Sequence, residues 1–210
     1  MNCLVKLFGL FGLVTGLSLC HPASAQDAPS GDQAAAATNE VAVLKFKGYG
    51  EIVLEFLPDV APKTVENFKK LAGSKFYDGT LSHRLIPGFM IQLGDPLTKD
   101  PAMEARWGTG DPGYKIKAEF SDKPHVKGTV SMARSSDPDS AGSQFFICFG
   151  TAPHLDRSYT VFAKVLEGMD VLDQLEKAEV GGPSRSKPQK PVVLESVTLM
   201  PRSDWKPQPK

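Results

Sequence analysis

From Val41 onward the chain is a succession of short apolar runs, each cut off by glycine, proline or aspartate. Runs at 80–93, 114–120, 127–133, 144–149 and 159–165 leave little room for helices and read as strands and loops. The pattern begins with Val41-Ala42-Val43-Leu44-Lys45-Phe46, a turn at Lys47-Gly48-Tyr49-Gly50, and Glu51-Ile52-Val53-Leu54-Glu55-Phe56, in which Ile52, Leu54 and Phe56 share a face. This predicts a β-hairpin. Ala61 to Gly73 has a proline near the first turn, apolar residues at 65, 68, 71 and 72 and a closing glycine, the signature of a helix with one buried face. Met169 to Leu175 predicts a second short helix and Val192 to Leu199 a final strand. Many short strands with few helices favour an antiparallel sandwich or barrel over a parallel βαβ sheet. There is no internal repeat, and one domain over 40–201 accounts for the pattern.

The flanks have a different character. Lys6 precedes an apolar run from Leu7 to Leu19, too short for a membrane-spanning helix and suited to a signal-peptide core. Ala23-Ser24-Ala25 supplies a small-x-small cleavage pattern, so 1–25 reads as a signal peptide and the mature chain as starting at Gln26, exported to the periplasm or the medium. Cys20 raises lipid anchoring as an alternative, but Leu19 before it is bulkier than the residue usual there. Residues 26–39 have almost no large apolar content and read as a flexible linker, and 202–210 as a solvated tail.

Without the signal peptide, one cysteine, Cys148, and 23 basic against 24 acidic residues remain. No intramolecular disulfide is available, so the fold rests on its core, and Cys148, within Phe145-Phe146-Ile147-Cys148-Phe149, reads as a small buried hydrophobe. Near-neutral charge without an aromatic-basic stripe argues against nucleic acid. The histidines at 21, 83, 125 and 154 lack the close pairing of a zinc site. There is no Gly-x-Ser-x-Gly elbow or Walker-type loop, and Gly108-Thr109-Gly110-Asp111-Pro112-Gly113 lacks a phosphate-cradling lysine and reads as a surface loop. No cofactor and no metal are expected, nor any integral membrane segment in the mature chain. Nothing suggests more than a monomer.

Two stretches carry the chemistry: His83 to Gln92, and Gly142-Ser143-Gln144-Phe145-Phe146. Each mixes large apolar side chains with a few long polar ones, as an apolar pocket with a handful of orienting hydrogen bonds requires. Neither contains an obvious nucleophile, which points to a site that reshapes a substrate without cleaving it.

The run from His83 to Asp95, with Met132-Ala133, Gly142 to Ile147, Leu155-Asp156 and Tyr159-Thr160-Val161-Phe162, resembles the cyclophilin family of peptidyl-prolyl cis-trans isomerases in order and spacing, the similarity extending from Val41 to Leu199, and the shorter bacterial type being the closer match. The resemblance implies a mainly β fold, a closed eight-stranded antiparallel β-barrel capped by two α-helices. It implies Arg84 as the catalytic cation, with Gln92 orienting the guanidinium and the substrate carbonyl. Phe89, Met90, Phe146 and Leu155 would form the proline pocket. Backbone around Ala133 and Arg134 would pair with the peptide, Gln144 would line the neighbouring groove, and His83, His154 and Tyr159 would complete the rim. Alternation with Phe146 turns Phe145 inward.

Departures from the common family pattern limit the transfer. His154 stands where many eukaryotic members carry a tryptophan tied to cyclosporin affinity, so weak cyclosporin binding is expected. Tyr159 takes a position often histidine, Arg134 one often asparagine, Ser82 one often phenylalanine, and Leu93 replaces a glycine. The loop Ser135 to Ala141 is about one residue longer than in the eukaryotic type. The expected function is acceleration of X-Pro isomerisation in folding exported proteins, with proline-containing peptides and unfolded chains as partners. The alternative is a chaperone or scaffold that holds proline segments with little turnover.

Overall fold

The computed structural model describes residues 39–206. The signal peptide expected over 1–25 and nearly all of the 26–39 linker lie outside the described residues. No described helix is long and apolar enough to cross a membrane.

Strand β1 (Glu40–Phe46) pairs with β2 (Gly50–Phe56) in the predicted hairpin, Leu44 opposite Ile52. The two-residue alternation of a strand splits its side chains between faces. Ala42, Leu44, Phe46, Ile52, Leu54 and Phe56 enter the main core, while Val41, Val43 and Val53 cluster separately with Met200 and Trp205. Trp205 is thus half-buried against the sheet within an otherwise exposed 202–206 segment.

Helix α1 (Pro62–Gly73) starts with the expected proline and buries Val65, Phe68, Leu71 and Ala72. Ala61 offers no capping side chain, and the carboxylate of Glu119 substitutes from far along the chain, accepting from the amides of Lys63 at 3.1 Å and Thr64 at 2.8 Å. Phe68 centres an aromatic cluster, with the rings of Tyr77, Phe162, Phe145 and Phe56 at 4.9, 5.3, 5.4 and 5.7 Å. Helix α2 (Met169–Glu176) buries Val171, Leu172 and Leu175.

The other strands are β3 (Thr80–Leu81), β4 (Arg84–Ile86), β5 (Met90–Leu93), β6 (Thr129–Met132), β7 (Phe145–Cys148), β8 (Val161–Glu167), β9 (Val180–Gly181), β10 (Lys187–Pro188) and β11 (Val193–Pro201). Nine form one curled antiparallel sheet in the order β3-β11-β1-β2-β8-β6-β7-β5-β4, and β9 and β10 form a separate ribbon. The expected closed eight-stranded barrel is therefore corrected to an open nine-stranded sheet with two α-helices among the described residues. Its end strands β3 and β4 are consecutive in the chain, separated by Ser82 and His83. The chain thus crosses the seam covalently, and no ladder pairs β3 with β4. The Ser82 amide continues the β3–β11 ladder by donating to Val192 O, and the free edge of β4 is taken by the segment leading into β11, the amide of Leu85 donating to Ser186 O.

The run 114–120 forms no strand; it makes an isolated β-bridge from Ile116 to Ala141, and Ile116 packs against the main core. Much of its polar hydrogen bonding is to side chains, as where Asp139 accepts from the amide of Ala118 and Thr160 bonds the amide of Glu119.

Candidate active site

The site lies on the face of the sheet opposite the core, and strand alternation selects its residues. On β5, Ile91 and Leu93 enter the core while Met90 joins a second cluster on the other face; on β7, Phe145 and Ile147 point inward while Phe146 and Cys148 join Met90, Ala152 and Leu155. The inward Phe145 and outward Phe146 match the alternation read from the sequence.

Register then builds a row across four strands. Arg84 on β4 faces Gln92 on β5, Gln92 faces Phe146 on β7, and Phe146 faces Ser131 on β6. Adjacent strands are about 4.8 Å apart, so this row brings four residues from distant parts of the chain into one line. Arg84 Nη1 donates to Gln92 Oε1 at 3.3 Å, and Gln92 Nε2 donates to Gln144 Oε1 at 2.8 Å. Gln144 Nε2 in turn donates to Gly110 O at 2.8 Å and Gly108 O at 3.1 Å. One chain of amides thereby couples the exposed guanidinium to the 108–110 loop.

A pocket of about 80 Å³ opens beside the row, lined by Arg84, Phe89, Met90, Gln92, Ala133, Arg134, Phe146, Leu155 and Tyr159. Nine of the twelve residues singled out from sequence meet here. Phe89 follows a turn in which Gly88 has φ +77°, a conformation costly for residues with a side chain. Tyr159 meets Phe146 edge-on at 5.7 Å, and the exposed His154 ring lies 5.4 Å from that of Phe89 on the rim.

Gln144 lines a larger adjoining pocket of about 340 Å³, which shares Gln92, Ala133 and Arg134 with the small one and adds Gly108, Thr109, Gly110, Asp111 and Lys115. The glycine run read as a plain surface loop is thus a wall of the groove. Gly108 is fixed there by the hydrogen bond that its amide donates to the buried carboxylate of Asp95. The relevant signal, small residues that let backbone approach a ligand closely, was present but not distinctive.

His83 lines neither pocket and sits under Gly108, its Nδ1 buried without a hydrogen-bond partner among the described residues. Burial holds its pKa below the usual imidazole value, with Arg84 acting in the same direction and Asp95 against it.

His125, unassigned from sequence, is fully buried and stacks on Phe146 with centroids 6.0 Å apart and planes 19° apart. Its Nδ1 lies 2.9 Å from Asp156 Oδ1 and its Nε2 2.9 Å from Ser131 Oγ, while its amide donates to the same Asp156 oxygen at 2.8 Å. This Asp-His-Ser connectivity resembles that of a hydrolase, but Ser131 is fully buried and reaches no substrate. It acts as a brace, tying the strand behind Phe146 to the turn that carries Leu155. Cys148 beside it is buried, its thiol pushed up to about 12 chiefly by burial and further by Asp156. Among the described residues, no three His, Cys, Asp or Glu side chains stand together as a metal site.

A family model described as "Cyclophilin type peptidyl-prolyl cis-trans isomerase/CLD" matches residues 41–199. A Brucella abortus protein named "Probable peptidyl-prolyl cis-trans isomerase" is 48% identical over 147 residues, covering 68% of this chain and 74% of that one. The human "Peptidyl-prolyl cis-trans isomerase-like 3" is 41% identical over 152 residues, covering 71% of this chain and 90% of that one. A crystal structure of a Cryptosporidium parvum cyclophilin type peptidyl-prolyl cis-trans isomerase in the presence of the dipeptide Ala-Pro superposes with a TM-score of 0.68 at 28% identity, covering 76% of this chain and 98% of that one.

Proposed function

This chain belongs to the cyclophilin family and is a peptidyl-prolyl cis-trans isomerase; from that premise we propose that the small pocket seats the proline ring and that Arg84 is the catalytic cation. The observation that carries this reading is the row Arg84, Gln92 and Phe146 along one side of the pocket.

Rotation about the X-Pro bond costs about 18–20 kcal/mol because amide resonance must be broken. In the twisted transition state the proline nitrogen becomes pyramidal and gains a lone pair. A cation aimed at that nitrogen stabilises the transition state more than either planar ground state, which is what catalysis requires. Arginine suits the task because it stays charged and presents a rigid fan of donors. Gln92 holds the guanidinium by accepting from Nη1, and its own amide is oriented by Gln144. Phe89, Met90, Phe146 and Leu155 exclude water from the ring and strengthen the electrostatic interaction. The Ala133 amide already donates to Gln144 O, so the Ala133 carbonyl and the Arg134 amide are the groups offered to the peptide backbone. No proton transfer, covalent bond or cofactor enters the reaction.

The signal-like 1–25 segment supports a role in folding exported proteins, where slow proline steps limit folding and no ATP is supplied. We propose a monomer with weak cyclosporin affinity, because His154 supplies a smaller ring than tryptophan at the rim.

The deciding experiment is a protease-coupled assay of a short X-Pro peptide with the protein and its folded Arg84→Ala variant. Rapid isomerisation by the first and a loss of about 100-fold or more in the second is expected. Equal, slow turnover by both with peptide binding retained would instead make the groove a recognition site of a chaperone or scaffold.

A further inference from the structure

Arg134 is held more tightly than a groove-lining cation needs to be for solubility or packing. Its guanidinium carbon lies 4.7 Å from the Tyr159 ring centroid and 5.9 Å from that of Phe120, an aromatic residue 42% exposed. Nε donates to Ser158 O at 3.0 Å, and Nη1 to Ser135 O at 2.9 Å and Ser136 O at 3.3 Å. Nη2 carries no hydrogen bond among the described residues. A long side chain normally loses rotamer entropy when it engages a ligand, and here the fold has already ordered it.

Its position and charge set what it can select. Arg134 lines both pockets, so it stands where a segment with proline in the smaller one passes into the larger. The two linings together hold three cations, Arg84, Lys115 and Arg134, against one carboxylate, Asp111, which is ion-paired with Lys115 at 2.6 Å. This is a local excess of positive charge on a chain of formal net charge 0. The nearby Asp137 and Asp139 are engaged by the amides of Asp139 and Ala118. We propose that Arg134 is a specificity-determining residue that selects proline segments carrying a carboxylate side chain within two residues of the proline. The proposal rests on the isomerase reading of the same groove.

The test compares Ala-Ala-Pro-Ala with peptides carrying glutamate at each position flanking the proline, reading turnover by NMR exchange and affinity by titration. In the unaltered protein at least one glutamate peptide is favoured about five- to tenfold, as expected for a partly solvated charge-assisted contact. That ratio falls towards one in Arg134→Gln, is partly restored in Arg134→Lys, and is intermediate in Phe120→Ala. It also falls in the unaltered protein at about 1 M salt, where the screening length shrinks to about 3 Å, and a ratio that persists there overturns the idea even if a variant misfolds. A ratio near one at low salt, or one that persists undiminished in folded Arg134→Gln, overturns it. Absence of turnover with any peptide defeats the isomerase reading instead, and the affinity ratio still decides the role of Arg134.

Discussion

Arg84 and Gln92 face each other across the β4–β5 ladder, Nη1 of the arginine 3.3 Å from Oε1 of the glutamine. The guanidinium is exposed, so its direction is set by this contact and by the Gln144 bond behind it rather than by burial.

Removing the support costs rate more than stability. Gln92→Ala is expected to lower kcat/KM about tenfold, less than Arg84→Ala, and to add little in an Arg84→Ala background because the two act as a unit. A double-mutant cycle in the coupled assay checks this; full additivity would mean that Gln92 acts on the substrate independently.

The neighbouring phenylalanines separate stability from activity. Phe145 sits in the aromatic core against Phe68 and Tyr77, so Phe145→Ala is expected to destabilise by about 3–5 kcal/mol in urea unfolding. Phe146 forms the pocket wall, and Phe146→Ala should cost a larger share of kcat/KM than the inward Phe145→Leu does in protein that remains folded.

The His125 brace predicts a buried-donor penalty. Asp156→Ala leaves the ring nitrogen and the amide of His125 without their acceptor and should lower the urea midpoint, whereas Asp156→Asn should lower it less. The bonds from the His125 amide and ring hold the Asp156 pKa below the ordinary carboxylate value of 3.8. The folded state therefore binds fewer protons here, and the stability from this group is present above 3.8 and lost as pH falls through the lower folded value. Acid unfolding of Asp156→Asn should lack this component.

His83 gives a second pH dependence, nearer neutrality. Its folded pKa is below 6.5, so between the two values the unfolded chain holds more protons and stability rises with pH. Acidification through 6.5 should lower the melting temperature, and His83→Gln should flatten that part of the profile; an unchanged slope would place the proton elsewhere.

With its thiol pushed up to about 12, Cys148 should resist a disulfide reagent at about pH 8 in the native protein and react fully once unfolded. Rapid native labelling would show that the strand opens locally.

The hairpin at Val41, the helix at Pro62 and the opposed facing of Phe145 and Phe146 were legible in the sequence, because side-chain periodicity and proline placement act over a few residues. The members of the small pocket were legible through the family resemblance of several short stretches, from His83 to Phe162. Other features depended on groups far apart in the chain: Glu119 capping a helix that begins at residue 62, Ser186 occupying the free edge of β4, His125 bracing Phe146, and Phe120 completing the stack on Arg134. No local pattern encodes such pairings. The open seam, with Ser82 and His83 crossing where a ladder was expected, and the absence of a strand at 114–120 arise because backbone groups take whichever partners the assembled fold brings within hydrogen-bonding distance.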